Sequence, residues 1–161
     1  MVGEFTGEII KSAIAKKLAA VISPVPNMLK EGMPQDFPLP AFFIRTVEVS
    51  QTKLLREQYT RTYQMNVRYH PLVNDLKKNE ALEAMANKLM HFLSWIEVPI
   101  FLGNYDLEGD PIEETKAVVG QSMDYVITDG VLQLFVNYKV SGKIPPTTAA
   151  AMGQLDLNQT R

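Results

Sequence analysis

The chain has 161 residues, 46% apolar and 21% charged, with a formal net charge of -2 and no cysteine. That is enough chain for one domain to bury roughly 70% of its unfolded surface without covalent staples. The composition excludes disulfides, thiolate metal sites and a cysteine nucleophile, a global basic field for nucleic acid, and any apolar run long enough to span a bilayer.

Met1 to Phe5 lacks the basic start and apolar stretch of a signal peptide, so a cytosolic globular domain is expected. From Thr6 to Val21, Ile10, Ile14, Leu18 and Val21 recur at helical spacing, with Lys11, Lys16 and Lys17 taking the other side. Thr6 suits the N-cap and Glu8 the positive end of the helix dipole. Ser23-Pro24-Val25-Pro26 stops this helix. Asn27 to Glu31 reads as a short edge strand, and residues 32 to 40, with Gly32, Pro34, Pro38 and Pro40, as an extended loop.

A strand is predicted from Ala41 to Ser50, with Phe43, Arg45, Val47 and Val49 on one face and Phe42, Ile44, Thr46 and Glu48 on the other. Gln51 to Arg56 reads as a turn carrying a Leu54-Leu55 knob. The cleanest strand follows: Tyr59, Arg61, Tyr63, Met65, Val67 and Tyr69 alternate with polar residues until His70, and Pro71 ends it. A second helix is expected from Asn79, as N-cap, to Ile96, its stripe formed by Leu82, Met85, Ala86, Leu89, Leu93 and Ile96. Val98 to Leu102 suits a strand, and Asn104 to Gly120 shows turn chemistry and acids without clear periodicity. Met123–Thr128, Asp129-Gly130 and Val131–Val140 form a hairpin signature, because both central positions of a type I′ turn need positive φ. On its second strand Leu132, Leu134, Val136, Tyr138 and Val140 face one way. Pro145-Pro146 breaks the sheet, and the tail beyond has too few large apolar residues to form a core alone. The expected class is α+β: a mainly antiparallel sheet with two principal helices on one face, in a domain spanning 1–143, followed by an extended arm at 144–161.

Catalytic and cofactor signatures are sparse. His70 and His91 stand outside metal-binding spacings, and both read as surface histidines. The glycines form neither a phosphate loop nor a nucleophile elbow. The acids from Asp106 to Glu114 do not match a calcium loop and Pro111 interrupts them, so a solvated loop is expected. Tyr59, Tyr63 and Tyr69 near Arg56, Arg61 and Arg68 resemble a base-stacking platform, but Arg68 falls on the opposite face; arginine stems over aromatics are the favoured reading. Met85 and Met90 are gap-filling helix residues. No cofactor, no metal and no enzymatic activity are expected.

What is left is a subunit-like pattern. The tip carrying Leu54 and Leu55 is either a contact or a loop folded back on its own core. Ala41-Phe42-Phe43-Ile44-Arg45 and Leu55-Arg56-Glu57-Gln58-Tyr59-Thr60-Arg61-Thr62-Tyr63 resemble the strand pair of bacteriophage tail-terminator proteins, found in long-tailed phages and in defective prophages of Gram-positive bacteria. The helix from Asn79 to Leu93 and the hairpin Tyr125 to Tyr138 resemble the same family in the same order, so the likeness covers residues 6 to 140. The loop 104–120 is long for that family, and the arm beyond Lys143 has no counterpart in it.

The resemblance implies a virion or tail-like particle, assembled in the bacterial host cytoplasm. It implies a ring, expected to be a hexamer, on the head-proximal end of the tail tube. Such a ring, in the collar or neck region, stops tube polymerisation and presents a surface to the head connector and, in a contractile tail, to the sheath. Its partners are itself, the tail tube protein, the neck or head connector proteins and the sheath protein. It would touch no membrane and recognise no particular nucleic acid sequence, although DNA passes through such a ring. A heterologous contact that closes gives a finite ring instead of a filament. The residues expected to carry contacts are, in order, the tip Lys53, Leu54, Leu55 and Arg56; the loop Asp106, Glu108 and Asp110; and the arm Leu155, Asp156 and Leu157. The alternatives are a neck or tail-completion adaptor, a small-ligand-binding α+β domain, and a regulatory nucleic-acid binder, which strongly salt-dependent binding would reveal.

Overall fold

The computed structural model describes residues 6–22, 27–29, 36–72, 78–105 and 107–143. Among these, the elements run α1 (Gly7–Val21), β1 (Asn27–Leu29), β2 (Ala41–Lys53), β3 (Gln58–His70), α2 (Lys78–Phe92), β4 (Trp95–Tyr105), β5 (Pro111–Thr128) and β6 (Val131–Lys143). The strands lie in the order β1-β2-β3-β6-β5-β4. Every pairing is antiparallel except β1 with β2, so the sheet is mixed, and the α+β class holds.

The helices share one face because their apolar stripes demand it. Ile10, Ile14 and Leu18 of α1 meet Leu82, Ala86 and Leu89 of α2 in a single cluster. The sheet contributes Phe42, Ile44, Tyr63, Met65, Val67, Leu132, Leu134, Val136 and Tyr138. The period-two faces of β3 and β6 thus fall as their alternation predicts. Thr6 takes an extended N-cap conformation, though its side chain makes no capping bond.

The sheet curls because β5 serves two partners. Its first half, Pro111–Val119, pairs with β4, and its second half, Gly120–Thr128, pairs with β6. A bulge between Gly120 and Met123 marks the change of partner and bends the strand. The corner is tight at Gly120: an added Cβ would lie 2.9 Å from the Met123 methyl, 3.0 Å from Val136 and 3.2 Å from the Leu93 carbonyl oxygen. The curl lets α1 touch both β2 and β4, which lie towards opposite borders of the sheet.

Four sequence expectations need correction. The second helix begins at Lys78, so Asn79 lies inside it, and ends at Phe92. Ile96 is buried as expected, but it points inward from β4; Ser94 closes the helix by donating to the His91 carbonyl at 2.7 Å. The strand expected at Val98–Leu102 is longer at both ends, and most of the 104–120 segment is the first half of β5. In β2 a bulge between Thr46 and Glu48 exchanges the faces: Glu48 pairs with Gln64 and Val49 with Tyr63. Val49 therefore sits on the core side of the sheet, beyond the reach of the helices. Finally, His70 is half-buried, not a surface residue, packed against Phe37 and Phe43 at ring-centroid distances of 5.1 and 5.0 Å. The edge strand's expected continuation to Glu31, the loop at 32–35 and the arm at 144–161 lie outside the described residues.

Candidate functional site

The β2–β3 hairpin runs past the helical layer. Residues Val47 to Gln58 are all exposed, so both faces of the hairpin are wet. Its distal part is held by polar and aromatic contacts instead of a core. Arg61 donates to the Gln51 side-chain oxygen through Nε (2.9 Å) and Nη2 (2.6 Å), and to the Tyr63 hydroxyl at 3.3 Å. The Arg61 guanidinium stands 5.0 Å from the Tyr59 ring centre, the arginine-over-aromatic packing expected from the sequence. Tyr59 in turn covers Gly142 on β6 so closely that any Cβ there would meet its ring at 2.5 Å.

The tip shows the predicted Lys53, Leu54, Leu55 and Arg56 to solvent. Leu55 is 87% exposed and Leu54 44%, which rules out a tip folded back on its own core. Arg56 and Glu57 have φ values of 57° and 61°, a left-handed pair that glycine or asparagine adopts more readily. The Leu54 amide donates to the Gln58 carbonyl at 2.7 Å and closes the turn.

Of the acidic loop, Asp106 lies outside the described residues, while Glu108 and Asp110 are exposed in the β4–β5 turn with Gly109 at φ 90°. Leu107 beside them is fully exposed, a feature the sequence reading passed over. Leu155, Asp156 and Leu157 lie outside the described residues. Among the described residues, the two predicted tips stand on separate hairpins, β2–β3 and β4–β5. Among the described residues, no group of His, Asp and Glu is arranged to hold a metal ion, and no helix is long and apolar enough to cross a membrane.

The sequence reading also missed a groove of 780 Å³ between α1 and β4. It exists because the helix presents small residues, Ser12, Ala13 and Ala20, where it passes the strand. Trp95, the chain's single tryptophan, forms one wall and is 45% exposed. The Lys17 ammonium lies 3.4 Å from the centre of its ring and donates to its carbonyl oxygen. Desolvation there lowers the pKa of Lys17, and the nearby Glu97 carboxylate partly offsets the shift. The signals in the sequence were the lone tryptophan just after α2 and the small residues Ser12, Ala13 and Ala20 on α1.

Among the described residues, the fold and its surface define a small α+β protein whose conspicuous outward features include apolar hairpin tips and a groove lined by both apolar and charged residues. The sequence matches the family described as phage tail terminator protein over residues 9–150, and the chain belongs to that family. It is accordingly a structural protein of the phage tail, associated with the virion and with other tail and head or neck proteins. No curated protein sequence matches it. Solved structures that match include one chain at 14% identity and a TM-score of 0.38, covering 89% of this chain and 99% of that one.

Proposed function

We propose that the protein forms a closed ring, expected to be a hexamer, on the head-proximal end of the tail tube. The ring halts tube growth and offers its other face to the neck and, in a contractile tail, to the sheath. It acts as a competitive cap: one face complements the tube end, and the opposite face does not reproduce it, so no further tube subunit can add. No bond is made or broken.

The observation that carries this reading, beside the family, is the β2–β3 hairpin. Its distal part spends a strained turn and a run of exposed residues from Val47 to Gln58, with Leu55 at the apex, on a segment that lies outside the chain's own core. Leu54 and Leu55 adjoin each other there, and contiguous exposed apolar surface is what marks a contact site. The arm at 144–161 and the acidic turn belong to the same reading as further contact segments.

Native mass of the purified protein, alone and with tail-tube subunits, tests the ring. Deleting the gene separates capping from adaptor roles. Overlong or uneven tubes support a cap; tails of normal length that fail to join heads overturn it in favour of a neck adaptor.

A further inference from the structure

Resting on the ring reading above, we propose that the groove between α1 and β4 receives the β2–β3 hairpin tip of a second copy, with Leu55 seated beside Trp95. The two halves of this contact are both present on one chain. The groove offers apolar walls from Ile9, Ala13 and Trp95, and it carries the charges Glu8 (paired with Lys11), Glu97, Lys16 and Lys17, the last lying on the Trp95 ring. The tip offers Leu54 and Leu55 flanked by the cations Lys53 and Arg56 and by the anion Glu57. In this contact Glu97 offers a carboxylate to Lys53 or Arg56, and Lys16 offers an ammonium to Glu57, so charges of both signs on the tip meet opposite charges in the groove.

A chain cannot make this contact with itself. Gly7 at the start of α1 lies against Thr46, where an added Cβ would be 2.7 Å from the threonine hydroxyl oxygen. From Thr46 the strand runs on to the tip at Leu54, a span of roughly 25 Å at the rise of an extended strand. The tip thus stands well beyond its own groove. Tip and groove are different surfaces, so the contact is heterologous and runs head to tail, the kind that closes into a ring when the rotation between copies permits.

The strained turn fits the same role. A left-handed pair occupied by Arg56 and Glu57 keeps charges beside Leu55, where the more easily turned Asn-Gly would leave none. Trp95, 45% exposed beside the Lys17 ammonium, supplies a large, rigid side chain of the sort that anchors protein contacts.

The absence of native cysteine makes the contact directly trappable. Leu55→Cys protein is mixed with Ala20→Cys protein and oxidised, and Leu54→Cys with Ser12→Cys serves as a second pair. The experiment is run with and without tail-tube subunits, and native mass is read in parallel. The expected result is a covalent dimer in at least one mixture, absent when any single-cysteine variant is oxidised alone. Leu55→Asp should shift the native mass from ring to single copy, while Leu55→Met should leave the ring intact. A ring that persists with Leu55→Asp and yields no cross-link from either pair overturns the tip-in-groove contact and leaves the ring reading standing. Single copies under both conditions, in the unsubstituted protein, overturn the ring reading and this contact together.

Discussion

The Tyr138 hydroxyl donates a 2.7 Å hydrogen bond to the carbonyl of Leu93, joining the middle of β6 to the turn that ends α2. Tyr138 is fully buried, and desolvation pushes its phenol far above its ordinary pKa, so it remains a donor. One residue on, the Ser94 carbonyl accepts from the Gly120 amide at 2.8 Å. Together these bonds fix where the helix stops, where β4 starts and where β5 bends.

Tyr138→Phe should therefore cost about 1–3 kcal/mol, the usual penalty for leaving a buried carbonyl unpaired. The ring volume is kept, so packing is not disturbed. In urea the unfolding midpoint should fall while the slope of the transition stays the same. An unchanged midpoint would show that water reaches Leu93 and that the junction is looser than its geometry indicates.

Gly120→Ala should destabilise by about 1–3 kcal/mol, the range for forcing extra atoms into a packed site. The new methyl group would displace the Met123 methyl and press on Val136 and the Leu93 carbonyl, and the carbonyl cannot retreat without moving the helix end. Gly142→Ala is a useful contrast, because there the clash is with the Tyr59 ring on the exposed hairpin, which can rotate away. Thermal melts should rank Gly120→Ala below Gly142→Ala; the reverse order would mean that β5 does not depend on the glycine to bend.

The core was legible from periodicity. Leu132, Leu134, Val136 and Tyr138 alternate because one side of β6 is wet and the other faces helices, and Ile10, Ile14 and Leu18 repeat at helical spacing for the same reason. What failed was sequence where burial does not alternate. Glu114 to Ala117 of β5 are exposed on both faces, so the strand leaves no period-two trace, and its acids read as a loop. Ile96 extended the helical stripe of α2 by coincidence, since a strand residue buried against the same core falls at a compatible spacing. The β2 bulge inverted the faces beyond Thr46, which no local composition announces. Of the candidate site, the Leu54-Leu55 tip stood out as apolar residues in a polar turn. The groove did not, because it depends on α1 and β4 being brought together by the curl.

Replacing Arg56-Glu57 by Asn-Gly should stabilise the isolated subunit by about 1–2 kcal/mol in total, since left-handed backbone costs an ordinary residue of order 1 kcal/mol. Both residues have φ near 60°. The substitution should raise the urea midpoint while leaving Leu55 displayed. If the midpoint falls instead, the Arg56 and Glu57 side chains hold the turn through interactions worth more than the strain.

His70 should make stability depend on pH in a definite sense. Its Nε2 is buried without a hydrogen-bond partner, and its ring packs between Phe37 and Phe43. Burial lowers its pKa, and the Arg68 guanidinium lowers it further. In the folded state the neutral ring is therefore favoured relative to the unfolded chain. The contribution is fully present above the unfolded value of about 6.5. It shrinks as pH falls, because the unfolded chain then takes up a proton that the native site resists, and it levels off below the folded value. Carboxylates titrate in the lower part of this window, so the informative quantity is the difference between wild type and His70→Phe, which keeps an aromatic ring beside Phe37 and Phe43. Urea unfolding from pH 7.5 to 5 should show the wild type losing stability relative to the variant below about pH 6.5. A difference that stays constant over the whole range would place the imidazole in water and refute the packing assigned to it.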